Sequence, residues 1–220
     1  MKTFTKPKIA IVIGATGLVG SHLLKLLLED DSYGKVKVFH RRSTEVSHPK
    51  LEEHIVDFDH IDKWKTELIG DCLFSALGTT IKKAGSKEAQ YKIDYTYQFE
   101  VAQAAAENGV SNYALVSSIG ANANSKSFYT RIKGELDDAI QHLGFDSVLI
   151  LRPSFLDGVR DDFRLGERLG IALANVVCKL PGLRKFHPIK AKAVARALVN
   201  GIETKNSIIV EADEILKLIE

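Results

Sequence analysis

The chain has 220 residues, 45% of them apolar and 26% charged, and carries a net charge of +2. That length suits one domain with a sizeable core, and the composition is that of an ordinary globular protein in water. Near-neutral charge, with no basic arm and no long like-charge run, excludes an electrostatic case for nucleic acid or an anionic membrane as partner.

The opening stretch "MKTFTKPKIAIVIG" has too short an apolar run for a signal peptide and leads into a glycine turn without a cleavage site. The longest weakly polar stretch, "LGIALANVVCKLPG", is too short to span a bilayer and is broken by Asn175 and Lys179. Cys72 and Cys178 lie far apart and match no metal or redox spacing, so they read as small buried hydrophobes of a reducing compartment. These features point to a cytoplasmic protein.

In chain order, "KIAIVIG" reads as a first strand and "SHLLKLLLED" as the helix after it. "KVKVFH", "EEHIVDF" and "DCLFSAL" follow as strands two to four. The helix "TYQFEVAQAAAENGV" precedes a fifth strand, "NYALVSS", and "YTRIKGELDDAIQHLG" precedes a sixth, "SVLILRP". Gly109 and Gly144 stand where left-handed helix C-caps are wanted. Strands that alternate with helices, and that are nearly continuous in apolar residues, predict an α/β fold: a doubly wound parallel sheet with helices on both faces. After Pro153 the rhythm changes. Residues 155–190 read as a small C-terminal lobe within a single domain spanning 1–220, closed by helices at "AKAVARALVNGI" and "ADEILKLIE".

Chemistry-bearing residues cluster at strand ends. Gly14, Gly17 and Gly20 space as G-x-x-G-x-x-G between the first strand and its helix. One glycine permits the tight turn, one lets the backbone approach a pyrophosphate, and one lets helix pack on strand. The helix N-terminus then offers free N–H groups and a positive dipole end, so Gly14, Ala15, Thr16, Gly17, Leu18 and Val19 read as a dinucleotide-binding turn. At the end of the second strand, where an NAD-selective protein places a carboxylate, this chain has Arg41 and Arg42. Planar cationic donors suit a 2′-phosphate, so NADP(H) is expected over NAD(H). Asp57, placed at the end of the third strand, is expected near the adenine. Ala76, Leu77, Gly78 and Thr79 of "SALGTT" are expected along the ribose and nicotinamide side. His54, Asp57, Asp59 and His60 match no metal-site spacing, and no metal is expected.

A Tyr-x-x-x-Lys pair occurs twice, at Tyr129/Lys133 and at Tyr33/Lys37. The second is placed across a loop and the second strand, far from any serine at a strand end, and reads as chance. With "GATGLVG", "HRR", "SALGTT", "SSIGA", "YTRIK" and "LRPS" in this order, the sequence resembles the short-chain dehydrogenase/reductase superfamily of Rossmann-fold proteins. It is most similar to the atypical NAD(P)-binding branch that includes the human Tat-interactive protein. The resemblance implies a catalytic set of Ser118, Tyr129 and Lys133, with Ser117, taken as still within the strand, the less favoured serine. It gives Tyr129 the proton transfer, Lys133 the tuning of the tyrosine and a bond to the nicotinamide ribose, and Ser118 the substrate oxygen. It also brings Pro153 to the nicotinamide carboxamide. One departure is Asp94, where many members carry an asparagine that supports the lysine through water.

The expected activity is NADP(H)-dependent oxidoreduction of a small carbonyl or alcohol, with a small-molecule substrate. A dinucleotide-binding regulator with little turnover is the alternative, and a nucleotide-sugar epimerase or dehydratase ranks third. A homodimer is compatible with the chain.

Overall fold

The computed structural model describes residues 6–157, 187–202 and 206–219. Strand β1 (Lys8–Ile13) leads through the glycine turn into helix α1 (Leu18–Glu29), then β2 (Tyr33–His40) and β3 (Leu51–Ile55). Short 3-10 turns precede β4 (Cys72–Ser75). After α2 (Ile81–Ala84), α3 (Lys87–Tyr91) runs through a π-helical turn at Lys92–Thr96 into α4 (Tyr97–Glu107). Next come β5 (Asn112–Val116), α5 (Phe128–Ile140), β6 (Ser147–Arg152) and a two-residue pair, β7 (Leu156–Asp157) with β8 (Ile189–Lys190). Helix α6 (Ala191–Gly201), β9 (Ile208–Glu211) and a 3-10 turn at Ile215–Leu218 close the described chain.

The main sheet has the order β3-β2-β1-β4-β5-β6-β9, and every pairing is parallel. The order reverses between β1 and β4, which opens a crevice at the carboxyl ends of those two strands. Strand side chains alternate between the faces. Ala10, Val12, Val36, Val38, Phe74, Leu149 and Leu151 therefore pack into one core layer with α1 and α6. Ile11, Ile13, Phe39, Leu73, Leu115, Val148 and Ile150 pack into the other with α4 and α5. Burial on both faces is why the central stretches of β1, β4, β5 and β6 are apolar at consecutive positions. The doubly wound parallel α/β sheet expected from the sequence is present.

Several details differ from the sequence reading. β9 is a seventh strand that the reading did not contain, and "ADEILKLIE" contributes only a 3-10 turn where a helix was expected. Strand β5 ends at Val116, so Ser117 lies just past it, although its N–H still donates to Leu151 O at 2.8 Å. Tyr33 and Lys37 both lie in β2 rather than across a loop. Four residues along a strand span about 13 Å, too far for a proton-relay pair. Most of the 155–190 lobe, Cys178 included, lies outside the described residues, while Cys72 is buried.

The edge strand β9 is fastened by charge. Arg152 Nε donates to Asp137 Oδ2 of α5 at 2.9 Å, and its Nη1 donates to Glu211 Oε1 at 3.1 Å. Asp137 is fully buried, and burial pushes its pKa up against the lowering effect of Ser117 and Arg152. Arg152→Leu strands that carboxylate and is expected to lose about 3–5 kcal/mol near neutral pH, read from the urea midpoint. Below the raised pKa of Asp137, the folded state takes up a proton that the unfolded state does not yet hold. The deficit should therefore shrink as pH falls. A pH-independent deficit would assign the cost to lost packing instead.

Candidate cofactor and catalytic site

The glycine turn is built by close approach. Gly14 has φ +80°, and a Cβ on it would stand 2.4 Å from Leu77 N and 2.5 Å from Ala76 C. The turn can therefore lie directly on the end of β4 only because Gly14 has no side chain. A Cβ on Gly20 would meet Gly14 O at 2.0 Å, which fixes how near α1 comes to the turn. Gly17 is the N-cap of α1 and supplies no side-chain cap, and the first turn holds no acidic residue. The leading N–H groups of a helix have no partner within it. Here they face the crevice with the positive end of the dipole.

Beyond the turn, β2 delivers Arg41 and Arg42 to an exposed loop, where neither makes a hydrogen bond or ion pair among the described residues. Asp57 does not end β3; it lies two residues beyond and caps the 3-10 turn that follows, accepting from Asp59 N at 3.0 Å. Its carboxylate remains largely open to solvent.

Under the end of β4 lies a buried polar network. Asp94, in the π-helical turn, is fully buried. Its Oδ1 accepts from Thr79 N at 2.8 Å and its Oδ2 from Gln90 Nε2 at 2.9 Å. Gln90 also donates to Thr79 O at 3.2 Å. Gln98 Nε2 donates to Asp94 O at 2.9 Å, while its Oε1 accepts from the hydroxyl of Ser75 at 2.6 Å. Asp94 is thus a clamp that sets the backbone of Thr79. The sequence reading weighed Asp94 but missed Gln90, Gln98 and Ser75. Their signal was the four-residue spacing of three polar residues, 90, 94 and 98, on a helical segment that must face a buried strand.

On the far side of the crevice, α5 presents Tyr129 and Lys133 one helical turn apart. Tyr129 is 41% exposed, whereas Lys133 is 3% exposed and makes no hydrogen bond or ion pair among the described residues. A Cβ on Gly78 would lie 3.6 Å from Asp94 Oδ1 and 3.9 Å from Lys133 Nζ, so the two charges flank one residue. The loop after β5 is pressed onto α5. Asn122 N donates to Thr130 O at 2.9 Å, and the hydroxyls of Ser125 and Thr130 lie 2.7 Å apart. A Cβ on Gly134 would sit 2.2 Å from Asn122 C and Ala123 N, a constraint the sequence reading did not identify. Ser117 is buried; Ser118 is half-buried, with only a 3.4 Å contact from its hydroxyl to Ile119 O. Pro153 O accepts from Ile119 N at 2.9 Å, which holds the end of β6 against this loop. The glycine turn meets the Ala76–Leu77 backbone and Lys133 lies beside Gly78, while Ser118 and Pro153 follow the carboxyl ends of the parallel strands β5 and β6 on the same edge of the sheet. Among the described residues no three His, Cys, Asp or Glu side chains gather as metal ligands, and no helix is long and apolar enough to cross a membrane.

This fold and crevice define an NAD(P)-binding Rossmann-type protein. The chain belongs to the NAD(P)H-binding family, whose family model matches residues 14–175. It is 36% identical over 204 residues to "Protein fmp52, mitochondrial" of Aspergillus niger, covering 89% of this chain and 87% of that one. To "Protein FMP52, mitochondrial" of Candida albicans it is 36% identical over 222 residues, covering 94% and 96%. Among solved structures, a short-chain dehydrogenase/reductase superfamily protein from Agrobacterium tumefaciens with bound NAD shares the fold at TM-score 0.69 and 13% identity, over 94% of this chain and 78% of that one. A UDP-N-acetylglucosamine 4-epimerase from Methanobrevibacter ruminantium does so at TM-score 0.68 and 17% identity, over 94% and 77%.

The relatives correct one expectation. Proteins at 34–36% identity over most of this chain are named mitochondrial, which overturns the cytoplasmic assignment. Its physical basis was weak: near-neutral charge and two cysteines without a metal or redox spacing suit any reducing aqueous compartment.

The residues fit a dinucleotide on three observations: the side-chain-free approach at Gly14, the uncapped start of α1, and the buried ammonium of Lys133 beside Gly78. Asp94 is the part whose removal should be felt most widely. Asp94→Ala leaves the Thr79 N–H and one N–H of the Gln90 amide without an acceptor, at about 1–3 kcal/mol for each orphaned donor. Asp94→Asn keeps an acceptor for Thr79 and should lose clearly less. Chemical denaturation of the two variants with wild type checks this; equal losses would mean that the Thr79 bond contributes nothing.

Proposed function

We propose that the chain is an NADP(H)-dependent oxidoreductase that moves hydride between nicotinamide and a small carbonyl or alcohol. The observation that carries this reading is Lys133, an almost fully buried ammonium one helical turn from an exposed tyrosine, at the mouth of a dinucleotide crevice. An ammonium held out of water with no direct partner among the described residues is costly unless something polar meets it. A ribose hydroxyl would do so.

In this reading Ser118 Oγ donates to the substrate oxygen and holds the carbonyl at the crevice. Tyr129 Oη delivers the proton to that oxygen in reduction, or takes it in oxidation. Lys133, one helical turn from Tyr129 on α5, would meet the nicotinamide ribose. The bound cofactor supplies or accepts the hydride. Partial exposure suits Tyr129 to this role, since the proton must reach a molecule arriving from solvent. NADP(H) is favoured over NAD(H) by Arg41 and Arg42, which are exposed, without an ion pair among the described residues, and just past the end of β2, where the adenosine ribose of a dinucleotide on this fold lies.

Tyr129→Phe should bind NADPH as wild type does and lose at least about 100-fold in turnover, followed by NADPH oxidation with aldehydes, ketones and quinones. Unchanged turnover would overturn the proton role. Tight NADPH binding by the wild type with no turnover on any of these compounds would favour a dinucleotide-binding regulator instead. For the cofactor, Arg41→Ala combined with Arg42→Ala should weaken NADPH by about 10- to 100-fold while leaving NADH within about twofold. Equal weakening of both, measured by fluorescence titration, would remove the arginines from cofactor choice.

A further inference from the structure

The two arginines lie in a loop whose conformation is held from a neighbouring strand by one carboxylate. Glu53 lies in β3, in register with Val38 of β2. Its Oε1 accepts from Thr44 N at 2.8 Å and also from the Thr44 hydroxyl. Its Oε2 accepts from the Ser43 hydroxyl at 2.8 Å. His40, the last residue of β2, is 5% exposed, and its Nε2 stands 3.4 Å from Glu53 Oε1. Among the described residues the hydrogen bonds of the Glu53 carboxylate go to residues 43 and 44, just past Arg41 and Arg42, while His40, just before them, stands beside it. Burial raises the pKa of this carboxyl, but the Thr44 hydroxyl, the Thr44 amide and the Ser43 hydroxyl outweigh it and hold the group below its ordinary range.

We infer that Glu53 is a positioning residue for cofactor choice: it pins the loop so that Arg41 and Arg42 are presented together to a 2′-phosphate. The inference rests on the assignment of those arginines to the 2′-phosphate. Two long cationic side chains on a free loop would each be ordered at a cost when phosphate binds. A loop fixed on both sides of the pair removes part of that cost in advance. Glu53 itself touches no cofactor in this account and acts only through the loop.

Simple electrostatics gives the opposite sign. Removing a carboxylate near a phosphate site should strengthen phosphate binding by Coulomb attraction alone. Positioning requires that the same removal weaken it.

The test is a set of fluorescence titrations of the full chain with NADPH and NADH. Glu53→Ala is expected to weaken NADPH about tenfold and leave NADH within about twofold. Glu53→Gln retains one acceptor and should fall between Glu53→Ala and wild type. Ser43→Ala with Thr44→Val, which removes the hydroxyl donors from the other side of the contact, should give the same selective loss. In the background of Arg41→Ala with Arg42→Ala, Glu53→Ala should have no further effect on the NADPH to NADH ratio, because its route is gone. Tighter NADPH binding by Glu53→Ala, or equal weakening of both cofactors, overturns the inference. If the double arginine variant is selective and Glu53→Ala is not, the arginine assignment stands and the positioning role fails. If the double arginine variant is itself unselective, the assignment beneath the inference has failed.

Discussion

The contact between the glycine turn and the end of β4 is the constraint on which the rest of the site depends. Gly14 reaches the backbone of Ala76 and Leu77 at distances that leave no room for a Cβ. That approach brings the start of α1 and the SALGTT segment to a common edge, where the strand order reverses. A dinucleotide at this edge would be met by helix N–H groups on one side and by the backbone after β4 on the other. If the turn stood further from β4, the phosphate end and the nicotinamide end would lose their common frame.

That frame must be held at both ends, and β4 is too short to hold its own loop. It ends at Ser75, and the loop beyond it, through Thr79, carries no regular ladder. The support comes from below, through Ser75, Gln98, Asp94, Gln90 and Thr79 in sequence. A π-helical turn carries Asp94, and such single-turn insertions are frequent at functional sites. The substitution of aspartate for the expected asparagine thus has a structural account. Both carboxylate oxygens are used on Thr79 and Gln90, and the negative charge lies across Gly78 from Lys133.

How much of this was legible in the sequence follows from what leaves a local signature. Apolar strands buried on both faces announce themselves, so β1, β2, β4, β5 and β6 were readable, as was the glycine turn after β1. Strand β9 was not, because four residues beside a short turn carry too little periodicity to stand apart from a helix start. Asp57 was placed at a strand end, since sequence cannot distinguish the last residue of a strand from the cap of the next turn. Gly134 was invisible for a different reason. Its meaning lies in a contact with Asn122 and Ala123 across the loop, and no local pattern records that approach. Glu53 belongs to the same class: its bonds to Ser43 and Thr44 cross between elements.

The two ends of the crevice use charge in opposite ways. Lys133 is removed from water, so its field is strong and its desolvation must be offset by nearby polar groups, Asp94 among them. Arg41 and Arg42 stay in water, where any contact to a phosphate would be screened and individually weak. Buried charge is effective through field strength, whereas exposed charge is effective only through geometry shared between several groups. A carboxylate that serves the first must therefore sit close and act by its charge. One that serves the second need not face the ligand at all, provided that it holds the loop. Asp94 and Glu53 divide along that line. This is why the same residue chemistry is buried beneath β4 in one case and lies on the outer strand β3 in the other.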